Sequence, residues 1–270
     1  MNKQIFFIYR LAISLCLLLA TTGIYAQDSK ADYTPSSGQS GKDVVWVPTQ
    51  QELVDAMLDM AKVTSADYVM DLGSGDGRLV ITAVKRGATA LGIEYNPDMV
   101  EYARRNAIAE GVKAKATFEK ADIFESDFSK ATVITLFLLT DLNLRLRPKI
   151  LDMKPGTRIV SNTFDMGDWK PDQTKELEEL SGYYNTAYLW IVPAKVNGTW
   201  KLDGGQIKFE QEFQNVTGTL TQNGKEIKFT GKLNGDKISF NAGGTEFTGT
   251  VSGNTISGAR AGGSSWRATR

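Results

Sequence analysis

The residues with chemical reach gather around Tyr68-Val69-Met70-Asp71-Leu72-Gly73-Ser74-Gly75-Asp76-Gly77-Arg78. An apolar run that reads as a buried strand ends there in an acid and a glycine-rich turn. An apolar-periodic helix follows from about Leu79 to Lys85. A strand, turn and helix in this order open a βαβ unit and let a ligand touch bare backbone. A dinucleotide fingerprint is spaced G-x-G-x-x-G and places a pyrophosphate on the helix N-terminus. Here the glycines run one residue tighter, as Gly73-x-Gly75-x-Gly77, and Asp71 and Asp76 bracket them. Two carboxylates repel a pyrophosphate and favour a cation. Glu94, followed by Tyr95, stands about twenty residues on, where an acid accepts both hydroxyls of a ribose. Asp122-Ile123 suits an adenine, with the carboxylate on the exocyclic amine and the apolar side chain on the ring face. The ligand that these positions describe together is S-adenosylmethionine (SAM), with a nicotinamide cofactor as the weaker alternative. Taken singly, Asp71 and Asp122 could also be helix caps and Glu94 a solvated loop acid.

Composition narrows the remaining chemistry. The chain of 270 residues contains no histidine, which removes imidazole bases, Ser-His-Asp or Cys-His catalysis and histidine metal sites. No metal site is expected. Cys16 is the one cysteine and lies in an N-terminal apolar run. With 31 basic and 31 acidic residues there is no electrostatic case for a nucleic-acid partner. Hydrophobic residues at 41% allow a sizeable core.

The elements that must position the acids alternate along the chain. Thr49 can cap a helix with Leu53, Met57, Met60 and Ala61 on one face. Strands are expected at Ala90–Glu94, Ala116–Phe118, Ala131–Phe137, Thr157–Ser161 and Thr186–Val192. Helices are expected from Pro97 to about Glu110 and from Leu142 to Met153, where Pro148 could break or kink the second. Such alternation predicts a Rossmann-like, mostly parallel seven-stranded sheet with helices on both faces. Ligands in such sheets bind beyond the carboxyl ends of the strands, and Asp71, Gly73, Glu94, Asp122 and Phe137 all fall at such ends.

Before this unit, residues 1–26 carry basic residues, a short apolar stretch and small residues near Ala26, the pattern of a secretory signal peptide. The expectation is an exported, periplasmic or envelope-associated protein with no stable membrane span after cleavage. An uncleaved anchor is the alternative, although the apolar core is short for a full span. Leu15 before Cys16 argues against a lipoprotein. Residues 27–43 read as a flexible linker, residues 44–196 as the catalytic unit and residues 197–270 as an all-β accessory domain.

Asp71-Leu72-Gly73-Ser74-Gly75-Asp76-Gly77-Arg78 resembles the first motif of class I, seven-strand SAM-dependent methyltransferases. Val47-Pro48-Thr49, Phe137-Leu138-Leu139-Thr140-Asp141-Leu142-Asn143 and Asp165-Met166-Gly167-Asp168-Trp169-Lys170-Pro171 are similar to one group within that class. They resemble bacterial relatives of the protein-lysine methyltransferases that modify the membrane-ring protein of ATP synthase and the adenine nucleotide translocase. The likeness covers roughly Val45 to Pro193. It implies that Pro48 and Thr49 fold over the methionine part of SAM. It also implies that Phe137, Leu138 and Asn143 border an acceptor channel, with Phe164 and Asp165 as the opposite lip. Trp46 stands where a smaller aromatic is expected, and Thr140 where proline is expected. The implied activity is methyl transfer to a protein lysine. A small-molecule methyltransferase of the same fold and a non-catalytic SAM-fold scaffold in the envelope are the alternatives. Asp141 and Asp165 are candidates for a general base.

From Asn197 the helix period disappears. Thr217-Gly218-Thr219-Leu220, Thr230-Gly231-Lys232-Leu233 and Thr248-Gly249-Thr250-Val251 recur between glycine turns. About eight short strands predict an antiparallel meander or small barrel, which Trp200 and Trp266 could plug. This part carries no catalytic signature. It reads as a stabilising module or as one that could bind an envelope component.

Overall fold

Apolar runs that exclude water alternate with helix-period segments after Pro48, and the chain folds accordingly. The computed structural model describes residues 33–180 and 182–270; the expected signal peptide, Cys16 and the first part of the expected linker lie outside the described residues. Helix α1 (Gln51–Met60) is followed by β1 (Tyr68–Leu72), α2 (Arg78–Lys85), β2 (Thr89–Glu94), α3 (Pro97–Ala109) and β3 (Ala116–Lys120). Then come β4 (Val133–Leu136), α4 (Thr140–Leu151), β5 (Arg158–Asn162), β6 (Gln173–Glu176) and β7 (Thr186–Ile191).

These strands form one sheet in the order β3-β2-β1-β4-β5-β7-β6. Pairings from β3 to β5 are parallel, and β7 runs antiparallel to both β5 and β6. After β3 the chain crosses back to lie beside β1, so the strand order reverses between β1 and β4. That reversal opens the crevice where a ligand binds in such sheets. Successive residues point to opposite faces. Val69, Val133 and Val160 pack under Leu53, Met57, Leu79 and Val80 on one face. Met70, Ile134 and Ile159 pack with Leu142, Leu146 and Ile150 of α4 on the other.

Local differences from the sequence expectations have physical causes. Helix α4 starts at Thr140 and continues through Pro148 to Leu151. Strand β6 reads Gln-Thr-Lys-Glu with every residue exposed, so no apolar alternation announces it. Thr49 does not cap α1: the cap position is Gln50, which makes no side-chain cap hydrogen bond, and the Thr49 hydroxyl accepts from Asn162 Nδ2 at 3.2 Å.

Eight further strands close into a barrel: β8 (Gly198–Leu202), β9 (Gly205–Glu212), β10 (Asn215–Gln222), β11 (Lys225–Asn234), β12 (Lys237–Ala242), β13 (Thr245–Ser252), β14 (Thr255–Arg260) and β15 (Ser265–Thr269). Neighbours in the chain pair antiparallel, and β15 pairs with β8 to close the ring. Closure removes the free edges that invite other chains to pair. The interior is filled by Trp200, Phe209, Phe229, Phe240, Phe247 and Trp266. Phe240 stacks on Phe247 with ring centroids 4.8 Å apart and meets Trp266 edge-on at 5.7 Å. Gly218 makes room for this filling, because a Cβ there would lie 2.6 Å from Phe229 Cζ.

The barrel docks on the α/β unit through the turn between β9 and β10. Phe213 in that turn has φ +51°, a left-handed backbone that is costly for a bulky residue. Its ring stacks on the fully buried Trp169 at 6.0 Å and lies 5.4 Å beneath the Arg147 guanidinium. Gln214 Nε2 donates to Lys170 O at 2.8 Å, and Gly235 O accepts from Ala194 N at 2.8 Å.

Candidate functional site

The turn after β1 is tied to its neighbours by backbone bonds. The amides of Gly73 and Ser74 both donate to Ile93 O, at 2.8 and 3.0 Å. Gly75 N donates to Glu94 Oε2 at 3.0 Å, and Asn96 N donates to Glu94 Oε1 at 2.9 Å. Two amides therefore fix the Glu94 carboxylate at the end of β2 and leave it spare lone pairs for hydroxyl donors. Gly75 has φ +52°, and a Cβ there would lie 2.4 Å from Trp46 Nε1. Only glycine lets the indole lie this close to the turn. Gly77 takes the cap position of α2 at φ +83°.

Asp76 lines the cleft, as its place in the turn predicts, and is also tied to a neighbouring cation. Arg78 holds it in a two-pronged grip, Nε to Oδ1 at 3.0 Å and Nη2 to Oδ2 at 2.6 Å, while Nη1 donates to Thr49 O at 2.5 Å. The pair pins the Pro48-Thr49 segment to the turn, while Asp76 stays on the cleft lining beside Asp71 and Glu94.

Asp71 is buried, and the β1–β4 register places it beside Thr135, whose Oγ1 donates to Oδ1 at 2.6 Å. Burial pushes its carboxyl up to about 7; the Thr135 bond opposes this, and the Asp76 and Glu94 charges add to it. A cation bound beside it would reverse that shift.

At the other side of the cleft, Asp122 Oδ1 accepts from Phe124 N at 2.9 Å, and Oδ2 accepts from Lys42 Nζ at 2.5 Å. Those two bonds hold its carboxyl below the usual carboxylate range, the Lys42 bond most of all. Lys42 also lies 4.9 Å from the Tyr95 ring centre. It comes from the segment expected to be a flexible linker. The described part of that segment folds back as a hairpin, with a Ser40–Val45 bridge and bonds Gly38 N to Trp46 O at 2.8 Å and Trp46 N to Gln39 O at 2.9 Å.

The acceptor side is aromatic. Phe137 follows β4 and Phe164 follows β5, their centroids 6.1 Å apart. Tyr184, from the loop before β7, reaches both at 5.2 and 6.1 Å. Phe164 is presented by Thr163, a β-branched residue at φ +61°, a strained backbone of the kind found at functional sites. Asn143 is fully buried behind the lip, and its Nδ2 donates to Phe164 O and Asp165 O, both at 3.1 Å. Asp165 Oδ1 accepts from Gly167 N at 3.1 Å and from Thr140 Oγ1 at 3.3 Å.

One cleft of about 1280 Å³, including its open mouth, collects most of the expected residues. Pro48, Thr49, Asp71, Gly73, Ser74, Gly75, Glu94, Tyr95, Asp122, Ile123 and Phe137 all line it. Gly77, Asn143 and Asp165 do not. Asn143 and Asp165 shape the lip through hydrogen bonds and stand behind the cleft wall. Lys42, Arg78 and Tyr184 line the cleft without having been singled out as site residues. The adjacent tyrosines Tyr183 and Tyr184 in a polar loop were the one available signal for the last of these.

The donor set fits SAM. Asp71, Glu94 and Asp122 line one cleft, as a ligand with a cation, a ribose and an amine requires, and Ser74 Oγ is buried with no partner among the described residues. The ANTKMT methyltransferase domain family matches residues 71–173. A protein-lysine N-methyltransferase of Saccharolobus islandicus is 41% identical over 152 residues, which cover 55% of this chain and 94% of the relative. The chain belongs to this family of SAM-dependent methyltransferases. The adenine nucleotide translocase lysine N-methyltransferase of Mus musculus is a more distant member at 32% identity over 105 residues. They cover 38% of this chain and 46% of the relative. The crystal structure of an RNA methyltransferase from Salinibacter ruber with S-adenosyl-L-homocysteine is 47% identical. It matches 56% of this chain and 96% of its own, with a TM-score of 0.53. Family membership makes SAM the cofactor of the cleft and methyl transfer its reaction.

Proposed function

We propose that this methyltransferase acts on the side-chain amine of a lysine in a protein. The observation that carries the reading is its identity to the Saccharolobus islandicus protein-lysine N-methyltransferase over nearly that protein's whole length. The cleft is compatible with it. Its two cations, Lys42 and Arg78, are each paired with a carboxylate, so no free basic track is offered to an RNA.

SAM, when bound, supplies a methyl group on a positively charged sulfur and leaves as a neutral thioether. The chain's residues do the positioning, which can supply much of the acceleration. Asp71 and Glu94 complement charge and hydroxyls, and Asp122 and Ile123 suit the adenine. Phe137 and Phe164 direct the acceptor. A lysine titrates near ~10.4 in water and must shed its proton before its nitrogen can attack. The apolar wall of Leu138, Leu139 and Leu142 favours the neutral amine by desolvation.

Tritiated SAM supplied to separate protein, RNA and metabolite fractions tests the reading. Label in protein, found as methyl-lysine by mass spectrometry, is expected. Label in RNA or in metabolites alone overturns it. Export belongs to the proposal, supported by the signal-peptide pattern of residues 1–26. A mature N-terminus at Gln27 in the envelope fraction is expected; a full-length chain confined to the cytoplasm overturns it. The barrel is the proposed contact with an envelope component. Its support is a groove of mixed lining, with Ile191, Leu233 and Ile238 beside Lys237, Ser239 and Ser257. Loss of envelope retention in a Ser239→Ala/Ser257→Ala variant is the check, and unchanged retention rejects the groove. Among the described residues no helix is long and apolar enough to cross a membrane.

A further inference from the structure

Tyr184 belongs to none of the motifs that define the cofactor site, yet it touches both aromatic rings at the acceptor side. The three centroids are separated by 6.1 Å (Phe137–Phe164), 5.2 Å (Phe137–Tyr184) and 6.1 Å (Phe164–Tyr184), with interplanar angles of 27°, 73° and 48°. Such a set is a three-sided cup. A compact cation resting on it lies within about 6 Å of every centroid, the range in which a ring face attracts an ammonium. Tyr184 is partly exposed and lies on the loop before β7, so it closes the cup from the solvent side. All three rings line the same cleft as Asp71 and Glu94.

We propose that Tyr184 is a specificity-determining residue that completes a cationic-amine cup with Phe137 and Phe164. The cup receives the protonated or methylated ammonium at the mouth, where a protonated amine gives its proton to solvent water before the neutral nitrogen moves on against Leu138 and Leu142. This deepens the reading of an amine acceptor and rests on it. An amine that has already gained methyl groups remains a cation at neutral pH, so the same cup retains it.

The test uses the full chain saturated with S-adenosyl-L-homocysteine and two probes: Nα-acetyl-Nε-trimethyllysine amide and its neutral carbon isostere, titrated by NMR. The wild type is expected to prefer the cation by about tenfold. Tyr184→Ala should reduce that preference to about twofold without changing S-adenosyl-L-homocysteine affinity, whereas Tyr184→Phe should keep it. Equal binding of the two probes by the wild type, binding of neither at about 10 mM, or full preference in Tyr184→Ala overturns the cup. Failure of the lysine reading looks different: cation preference persists while no protein lysine is labelled in the fractionated extract. Lysine labelling without cation preference rejects the cup alone.

Discussion

At the cofactor end of the cleft, carboxylates are fixed by backbone amides at the ends of adjacent strands: Glu94 by Gly75 and Asn96, Asp122 by Phe124. At the acceptor end, aromatic rings are presented by loops. A strained Thr163, a buried Asn143 and the docked barrel turn at Phe213 hold those loops. The first construction is local and is set by strand register. The second is assembled from segments distant in sequence. The contrast teaches that one fold can keep its cofactor site fixed while its acceptor lip answers to an appended domain.

The largest expected break falls at the cofactor end. Glu94→Ala removes the acceptor of two amide bonds and, on the ribose assignment, of two ribose hydroxyls. Hydrogen bonds to a charged group are worth about 1.5–3 kcal/mol each, so with two lost SAM should bind at least about a hundredfold more weakly by calorimetry. An unchanged affinity would falsify the ribose assignment. The acceptor KM of this variant, measured at saturating SAM, should stay within about twofold of wild type if the two ends are independent.

The buried Asp71 gives the same end a pH dependence. Its carboxyl is raised to about 7 in the folded protein, so between about pH 4 and pH 7 the folded state holds a proton that the unfolded state has released. Stability of the ligand-free protein therefore falls as pH rises through that window. SAM, being cationic, binds best to the ionised form. Its affinity should climb about tenfold from pH 6 to pH 8, with up to one proton released per SAM at the lower pH. Calorimetry in buffers of different ionisation enthalpy reads the proton directly. A flat profile, or one that survives in Asp71→Asn, would assign the titration elsewhere.

Phe213→Ala tests the opposite end. It removes the ring that stacks on Trp169 and lies beneath Arg147, whose Nη1 donates to Met166 O at 2.8 Å. The acceptor KM should rise about fivefold while the SAM dissociation constant is unchanged. Equal effects on both constants would mean that the barrel supports the whole unit and not the lip. An increased rate would mean that it restrains the lip.

How far each end was legible in the sequence follows the same division. Asp71, Glu94 and Asp122 could be read because each lies at a strand end, where apolar pattern and acid coincide. Thr135 beside Asp71 could not, since only the β1–β4 register pairs them. Asp76 lines the cleft as its spacing predicts, but its side-chain pairing with Arg78 two residues away was not legible. Asn143 and Asp165 came from resemblance, and the structure shows them holding the lip by backbone bonds. Tyr184 and Phe213 lie in loops whose destinations no local pattern encodes. The barrel was legible from its glycine turns, but its docking through Trp169 was not.

The smallest effect should come from Lys42, and it carries the most information about how the two ends communicate. Its ammonium is bonded to Oδ2 of Asp122, the carboxylate proposed to meet the adenine amine, and the Asp122 bond raises its own pKa. The adenine amine would therefore compete for Asp122 with Lys42, which the hairpin from Ser36 to Trp46 carries. Because the pair is solvent-exposed it contributes little, and Lys42→Ala should tighten SAM binding by about two- to fivefold. The gain should vanish in high salt, which already screens the wild-type pair. Weaker binding in Lys42→Ala would show instead that the hairpin closes over the adenine and that Lys42 helps to hold it there. A change in acceptor KM would join the hairpin to the far end through Trp46 and the glycine turn.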